Sequence, residues 1–195
     1  ATSAAGERGV LNRYRELRRS YGLDEELFRQ PQVRIVPLGV EPNDLPSPQE
    51  RKKLGPAKRK ELGIGGDETV FLVFARISYF SKMDLLPVLR AFKRAEQLGL
   101  PPRSYRFLLA GWQAQDENFD EDIRRFAENL GINFSMVLRP DDEERKALYA
   151  CADVFLSPSD NLQETFGLTM LEAAVSGLPV IASDFDGYKD LVLPE

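Results

Sequence analysis

The sequence predicts an α/β fold, a doubly wound parallel sheet with helices on both faces. Three observations carry that reading. Residues 69–75 (TVFLVFA) form a continuous apolar run rich in Val and Phe, the pattern of a strand buried on both faces. Further short apolar runs alternate with segments whose apolar residues recur at helical spacing, and such alternation implies crossover connections and parallel pairing. At 195 residues the chain is long enough to bury one good α/β core with part of another domain attached.

Residues 6–21 read as a helix with Val10, Leu11, Tyr14 and Leu17 on one side, and residues 33–36 as a short strand. Residues 46–66 hold a charged helix and then a glycine turn. The GIGG at 63–66 precedes a strand instead of following one, so the dinucleotide fingerprint is not met and a plain turn is expected. After the strand at 69–75, residues 84–99 form a helix stopped by Gly99. Residues 105–110 are a strand ending in Gly111 and Trp112, with Trp112 expected to pack under a loop more than to line a cleft. An amphipathic helix at 118–131, a strand at 134–138 and a helix at 141–150 with an acidic first turn follow. A strand at 153–157, a polar turn at 158–163, a helix at 168–175 and a strand at 178–182 complete the order.

Composition excludes several chemistries. The chain has no histidine, so neither a Ser-His-Asp triad nor a histidine-based zinc or iron site can be built within it. Cys151 is the single cysteine, which rules out an internal disulfide, and its apolar neighbours mark it as a small core residue. A net charge of −5 opposes a broad nucleic-acid surface. The basic runs at 13–19 and 51–60 are expected to form solvated helix faces, with peripheral membrane association as the alternative. No apolar run approaches the roughly 20 residues that span a bilayer, and residues 1–22 lack the features of a secretion signal. A soluble, cytoplasmic protein is the expectation.

Candidate binding residues gather in two segments. Around the predicted start of the 168–175 helix, Glu164 precedes the first turn and Gly167 permits close backbone approach. The amides of Phe166, Gly167, Leu168 and Thr169 would face an anion, and Glu172 lies about one turn further on. An anion held by amides between two carboxylates that accept hydroxyl hydrogen bonds describes a site for a sugar-bearing phosphate ester. In the second segment, Arg76 ends the 69–75 strand and Lys82 follows in the next loop, which puts two cations where an open α/β sheet receives an anionic ligand. Two surface glutamates and two solvated cations are the plain alternatives.

The string SDNLQETFGLTMLEAAVSGLPVIASDFDGYKDLV resembles the signature of retaining glycosyltransferases of the GT-B fold, specifically the large family four. Carried over residue by residue, the resemblance gives Glu164 the donor sugar's hydroxyls and the principal place in catalysis. Glu172 receives the nucleotide's ribose, and the backbone of Phe166, Gly167, Leu168 and Thr169 the diphosphate. Arg76 and Lys82 resemble the family's diphosphate-neutralising arginine and lysine, although Ala75 and Met83 stand where glycine is common. Arg139 falls at the edge where the family holds the base, largely through backbone groups. The segment from Pro37 to Leu45 resembles the family's interdomain connection.

The resemblance implies a Rossmann-like sheet forming the C-terminal half of a GT-B architecture. Residues 1–36 would be a remnant of the acceptor domain, 37–66 the linker with a surface helix, and 67–195 the donor domain, truncated at its end and part of a longer protein. The implied activity is transfer of a sugar from a nucleoside diphosphate sugar to an acceptor hydroxyl, without metal or cofactor, and with the isolated segment inactive. A GT-B nucleotide-sugar epimerase and a non-catalytic nucleotide-sugar-binding module share the donor site and stay open.

Overall fold

The computed structural model describes residues 1–24, 28–113, 118–161, 164 and 166–191. Its elements run α1 (Ala4–Tyr21), α2 (Pro48–Glu61), β1 (Thr69–Arg76), α3 (Leu86–Gln97), β2 (Tyr105–Trp112), α4 (Phe119–Leu130), β3 (Phe134–Leu138) and α5 (Asp142–Cys151). They continue as β4 (Val154–Ser157), α6 (Leu168–Val175), β5 (Val180–Ala182) and a 3-10 turn (Asp186–Asp190). The strands form one sheet in the order β3-β2-β1-β4-β5, every pair parallel. The chain winds outward from β1 through β2 to β3, then returns to place β4 against the other side of β1. The winding direction therefore reverses between β1 and β4, and the loops leaving their carboxyl ends diverge there to leave a crevice.

Strand alternation separates two cores. Val70, Leu72 and Phe74 join Leu108, Tyr149, Phe155 and Met170 on one face, while Val73 and Ala75 join Leu89, Phe107, Leu109 and Ile123 on the other. Helices thus cover both faces, as the continuous apolar strands require. Truncating one of the fully buried leucines, such as Leu72 or Leu108, would cost about 2–5 kcal/mol. At the carboxyl end of the β1–β2 pair, Ala75 is in register with Gly111. Gly111 has φ +143°, and a Cβ there would stand 1.7 Å from the Ala75 oxygen. The close approach is made possible by a glycine on β2, so alanine is tolerated on β1 where glycine was the expected residue.

Two sequence expectations need correction. Residues 33–36 form no strand. Val36 N–H donates to the Ala1 oxygen at 2.7 Å and the Ala1 amine to the Arg34 oxygen at 2.9 Å, but no sheet lies alongside and Val36 is 68% exposed. A β-prone stretch without a ladder to join stays irregular. The helix expected over residues 6–21 is present as α1, but its side bearing Val10 and Leu17 is exposed and does not anchor it. Instead α1 meets the 3-10 turn through its own N-terminus, where the Asp190 carboxylate accepts from Ala4 N–H at 2.8 Å and Ala5 N–H at 3.3 Å.

The second correction concerns the basic run at 51–60, which is solvated only in part: Lys52, Lys53 and Lys60 are exposed, whereas Arg51, Lys58 and Arg59 are not. Helix α2 starts at a capping box, with Ser47 Oγ accepting from Glu50 N–H and the Glu50 carboxylate accepting from Ser47 N–H. It then packs on α5 and turns cations inward. Arg51 donates to the Ser176 and Ala152 oxygens, and Arg59 to the Cys151 and Glu68 oxygens and to Asp153. Lys58 is only 4% exposed. Burial by itself would lower its pKa, but hydrogen bonds to Glu144 and Glu61 outweigh that and raise it. Arg51 and Arg59 thus satisfy carbonyls at the ends of neighbouring strands and helices.

Candidate functional site

The reversal between β1 and β4 brings the two candidate segments together. Arg76 is the last residue of β1 and Lys82 lies in the loop after it, while Glu164 lies in the loop after β4. Ser159 Oγ donates to the Lys82 oxygen at 3.0 Å and Asn161 Nδ2 to the Phe80 oxygen at 2.9 Å, which laces the two loops to each other. Across this seam the Lys82 ammonium and the Glu164 carboxylate form an ion pair, with side chains 18% and 12% exposed. Burial, followed by the charge of Arg76, pushes Lys82 down to about 8. The touching Glu164 carboxylate acts in the opposite sense, so the lysine is charged at neutral pH. Arg76 is exposed, and its Nη2 donates to the Ser81 oxygen at 3.0 Å, which holds the guanidinium over the mouth of the loop.

Helix α6 begins at Gly167, whose φ of +95° lies in the left-handed region. A Cβ there would stand 2.7 Å from Cε1 of Tyr188. Tyr188 is buried beneath this turn, 2.6 Å from Ser157 Oγ and 3.4 Å from Glu164 Oε2, while Gly187 N–H reaches the Glu164 oxygen at 3.4 Å. Among the described residues, none accepts a hydrogen bond from the amides of Phe166, Gly167, Leu168 and Thr169. The first turn of α6 thus presents amides with no acceptor among the described residues, together with the positive end of its dipole. Phe166 itself is buried and anchors the turn.

Glu172, one turn inside α6, is held by two groups of α5. Arg145 Nη1 donates to Oε1 at 3.0 Å and Tyr149 Oη donates to Oε2 at 2.7 Å. Burial and the Glu172 charge raise the Tyr149 pKa well above its ordinary value, so the phenol is a permanent donor. Arg145, Glu172 and Leu168 share a pocket of about 150 Å3 with Gly39, Glu41 and Asp44 of the connecting segment. Sequence reasoning missed Arg145, Tyr149 and Tyr188. The four-residue spacing of the first two marks a shared helix face, but nothing in the sequence says that this face meets α6.

Arg139 stands apart, and Trp112 lies nearer the site than expected. Arg139 follows β3, two strands from the reversal, with φ +53°, and its N–H donates to the Gly111 oxygen at 2.6 Å. Its side chain is exposed, and none of the described contacts joins it to the other candidates. Trp112, expected under a loop, is instead 51% exposed and meets Phe74 edge-on. It pairs in register with Arg76, so the indole stands at the rim of the same sheet edge. Of the predicted turn at 158–163, residues 162 and 163 lie outside the described residues. Among the described residues no group of three or more His, Cys, Asp or Glu could hold a metal ion.

Residues 56–195 match the family described as glycosyl transferases group 1. The chain belongs to that family. Among its relatives, a D-inositol 3-phosphate glycosyltransferase of Xylanimonas cellulosilytica is 26% identical over 183 residues, 92% of this chain and 40% of that protein. An alpha-monoglucosyldiacylglycerol synthase of Streptococcus pneumoniae is 33% identical over 153 residues, 76% of this chain and 32% of that one. The chain thus spans two fifths or less of the length of these glycosyl transferases. The crystal structure of Anabaena HepE with UDP and glucose superimposes with a TM-score of 0.66 at 23% identity, covering 83% of this chain and 41% of HepE. That likeness establishes the fold, a parallel α/β sheet of the GT-B type.

Proposed function

We propose that this chain is the donor half of a retaining glycosyltransferase that moves a sugar from a nucleoside diphosphate sugar to an acceptor hydroxyl in the cytoplasm. The observation that carries the reading is the meeting of Lys82 and Glu164 beside the free amides of α6, at the sheet's winding reversal. Arg76, Lys82 and the amides would stabilise charge on the departing diphosphate, with no reorganisation needed during reaction. Glu164 would accept hydrogen bonds from the sugar, and Glu172 from the ribose. On this reading Lys82 shifts its ammonium from Glu164 towards the phosphates as donor binds, which frees carboxylate lone pairs for the sugar.

Residues 1–36 go with the acceptor half, 37–66 connect the halves, and 67–195 hold the donor. The names of the relatives favour transfer over epimerisation, and the cocrystallised UDP of HepE supports a uridine nucleotide as the first donor to try. No described helix is long and apolar enough to cross a membrane. The test has two arms. UDP and UDP-glucose binding is measured on the 195-residue chain, and sugar transfer on a protein carrying it together with an acceptor domain. Binding without transfer to any hydroxyl would leave a sensing module, and absence of nucleotide binding would refute the site.

A further inference from the structure

We propose that Arg145 and Tyr149 are positioning residues for Glu172, presenting its carboxylate to the two ribose hydroxyls of a bound nucleotide. The inference rests on the assignment of Glu172 to the ribose made above and adds the two groups that make the contact geometrically selective. An isolated glutamate on a helix flank samples several rotamers, and ordering it consumes binding energy. Here both oxygens are gripped from α5, at 3.0 Å by Arg145 and at 2.7 Å by Tyr149. A carboxylate has about four lone-pair sites. With one donor on each oxygen, one site per oxygen is left, which matches a vicinal diol.

The two holders are themselves fixed. Tyr149 is fully buried, with its ring stacked on Phe74 at 5.7 Å and on Phe155 at 5.9 Å, so the ring is fixed and its hydroxyl favours Glu172 at 2.7 Å over the Thr169 oxygen at 3.5 Å. Arg145 lies one helical turn earlier on the same face of α5. Its Nε is buried and has no hydrogen-bond partner among the described residues, and its Nη2 contacts Asp142 only at 3.6 Å, at a carboxylate 95% exposed. Glu172 is therefore the partner that orients the guanidinium, and the guanidinium offsets the burial of the carboxylate's charge. Arg145 and Glu172 both line the small pocket beside the start of α6, so the remaining lone pairs lie next to space that a ribose could enter.

The experiment compares a nucleoside diphosphate with its 2′,3′-dideoxy counterpart by calorimetry on the 195-residue chain, using whichever of UDP, GDP and ADP binds tightest. The affinity ratio of the pair measures the ribose hydroxyls alone. Glu172→Ala should reduce that ratio about tenfold, and Tyr149→Phe and Arg145→Met should each reduce it about threefold or more, with the dideoxy affinity unchanged. Arg145→Lys should recover part of the loss. In the Glu172→Ala background neither substitution should reduce the ratio further. Equal losses for both ligands, or an unchanged ratio in both variants, would overturn positioning while the ribose assignment stands. An unchanged ratio in Glu172→Ala, or no binding of any of the three nucleotides, would overturn the assignment and the proposal together. If Tyr149→Phe does not fold, Arg145→Met alone decides.

Discussion

Lys82 and Glu164, 82 positions apart in the chain, are joined as an ion pair across the two loops that leave β1 and β4. The contact places the cation proposed for phosphate directly on the carboxylate proposed for the sugar. On that proposal a donor bridging these groups separates them or is received by both, and the protonation of Lys82 sets how well phosphate is held.

Diphosphate affinity should accordingly depend on pH above neutrality. The charged ammonium is the form that binds an anion, and burial with Arg76 behind it has pushed this group down to about 8. Affinity should be full below that pH and fall as pH rises through and beyond it, with any upward pull from Glu164 or the ligand moving the fall higher. Lys82→Arg should flatten the profile. Calorimetric titrations between about pH 7 and 10 check this, and a wild-type profile as flat as the arginine variant's would contradict it.

The two glutamates should separate by ligand. Glu172→Ala should weaken a nucleoside diphosphate and a nucleotide sugar alike, because both carry ribose, whereas Glu164→Ala should weaken mainly the nucleotide sugar. A lost hydrogen bond to a carboxylate costs about 1.5–3 kcal/mol, roughly tenfold or more in affinity. Identical losses for both ligands in both variants would undo the division of roles.

Arg76 should report on phosphate. Arg76→Ala should lower affinity for a nucleoside diphosphate far more than for the free nucleoside, and Arg76→Lys should lose part of that increment because it keeps the charge without the planar fork. Raising salt should shrink the wild-type increment, since Arg76 is exposed. A phosphate increment equal to wild type in the alanine variant would remove Arg76 from the site.

Gly167→Ala should damage both stability and binding. The residue would have to hold φ +95° with its Cβ 2.7 Å from the Tyr188 ring, at a cost of about 1–3 kcal/mol from the backbone strain alone. The melting temperature should fall, and nucleotide affinity should fall with it because the α6 amides move. Unaltered affinity in a folded variant would separate those amides from the ligand.

Cys151 should be inert in the folded chain. It is 1% exposed, and burial pushes its thiol up to about 12. A thiol-alkylating reagent at about pH 8, half a unit below an ordinary cysteine pKa, should label it only after denaturation. Rapid labelling of the native chain would show that the α5–β4 junction opens.

Much of this architecture was legible because it depends on local pattern. Helix α6 and strand β3 begin and end where their sequence patterns predict, and the apolar run of β1 announced a strand covered on both sides. Residues 33–36 show the limit of that reasoning, since Ile35 and Val36 have β propensity but no ladder reaches them. The cations of α2 show another limit. Arg51 and Arg59 look like surface residues in sequence, and only the carbonyls left open at the ends of neighbouring elements draw them inward.

The sequence by itself determined the fold class and, from α2 onward, the succession of helices and strands along the chain. It also nominated Arg76, Lys82, Glu164, the start of α6 and Glu172, because residue type and periodicity act over a few positions. The tertiary structure decided which of these touch. The return of the chain from β3 to the far side of β1 joins Lys82 to Glu164, places Tyr188 beneath Gly167, and sets the Arg145–Tyr149 face of α5 against Glu172. Those contacts arise from strand order and helix packing, which bring together residues whose separation in sequence carries no signal of their proximity.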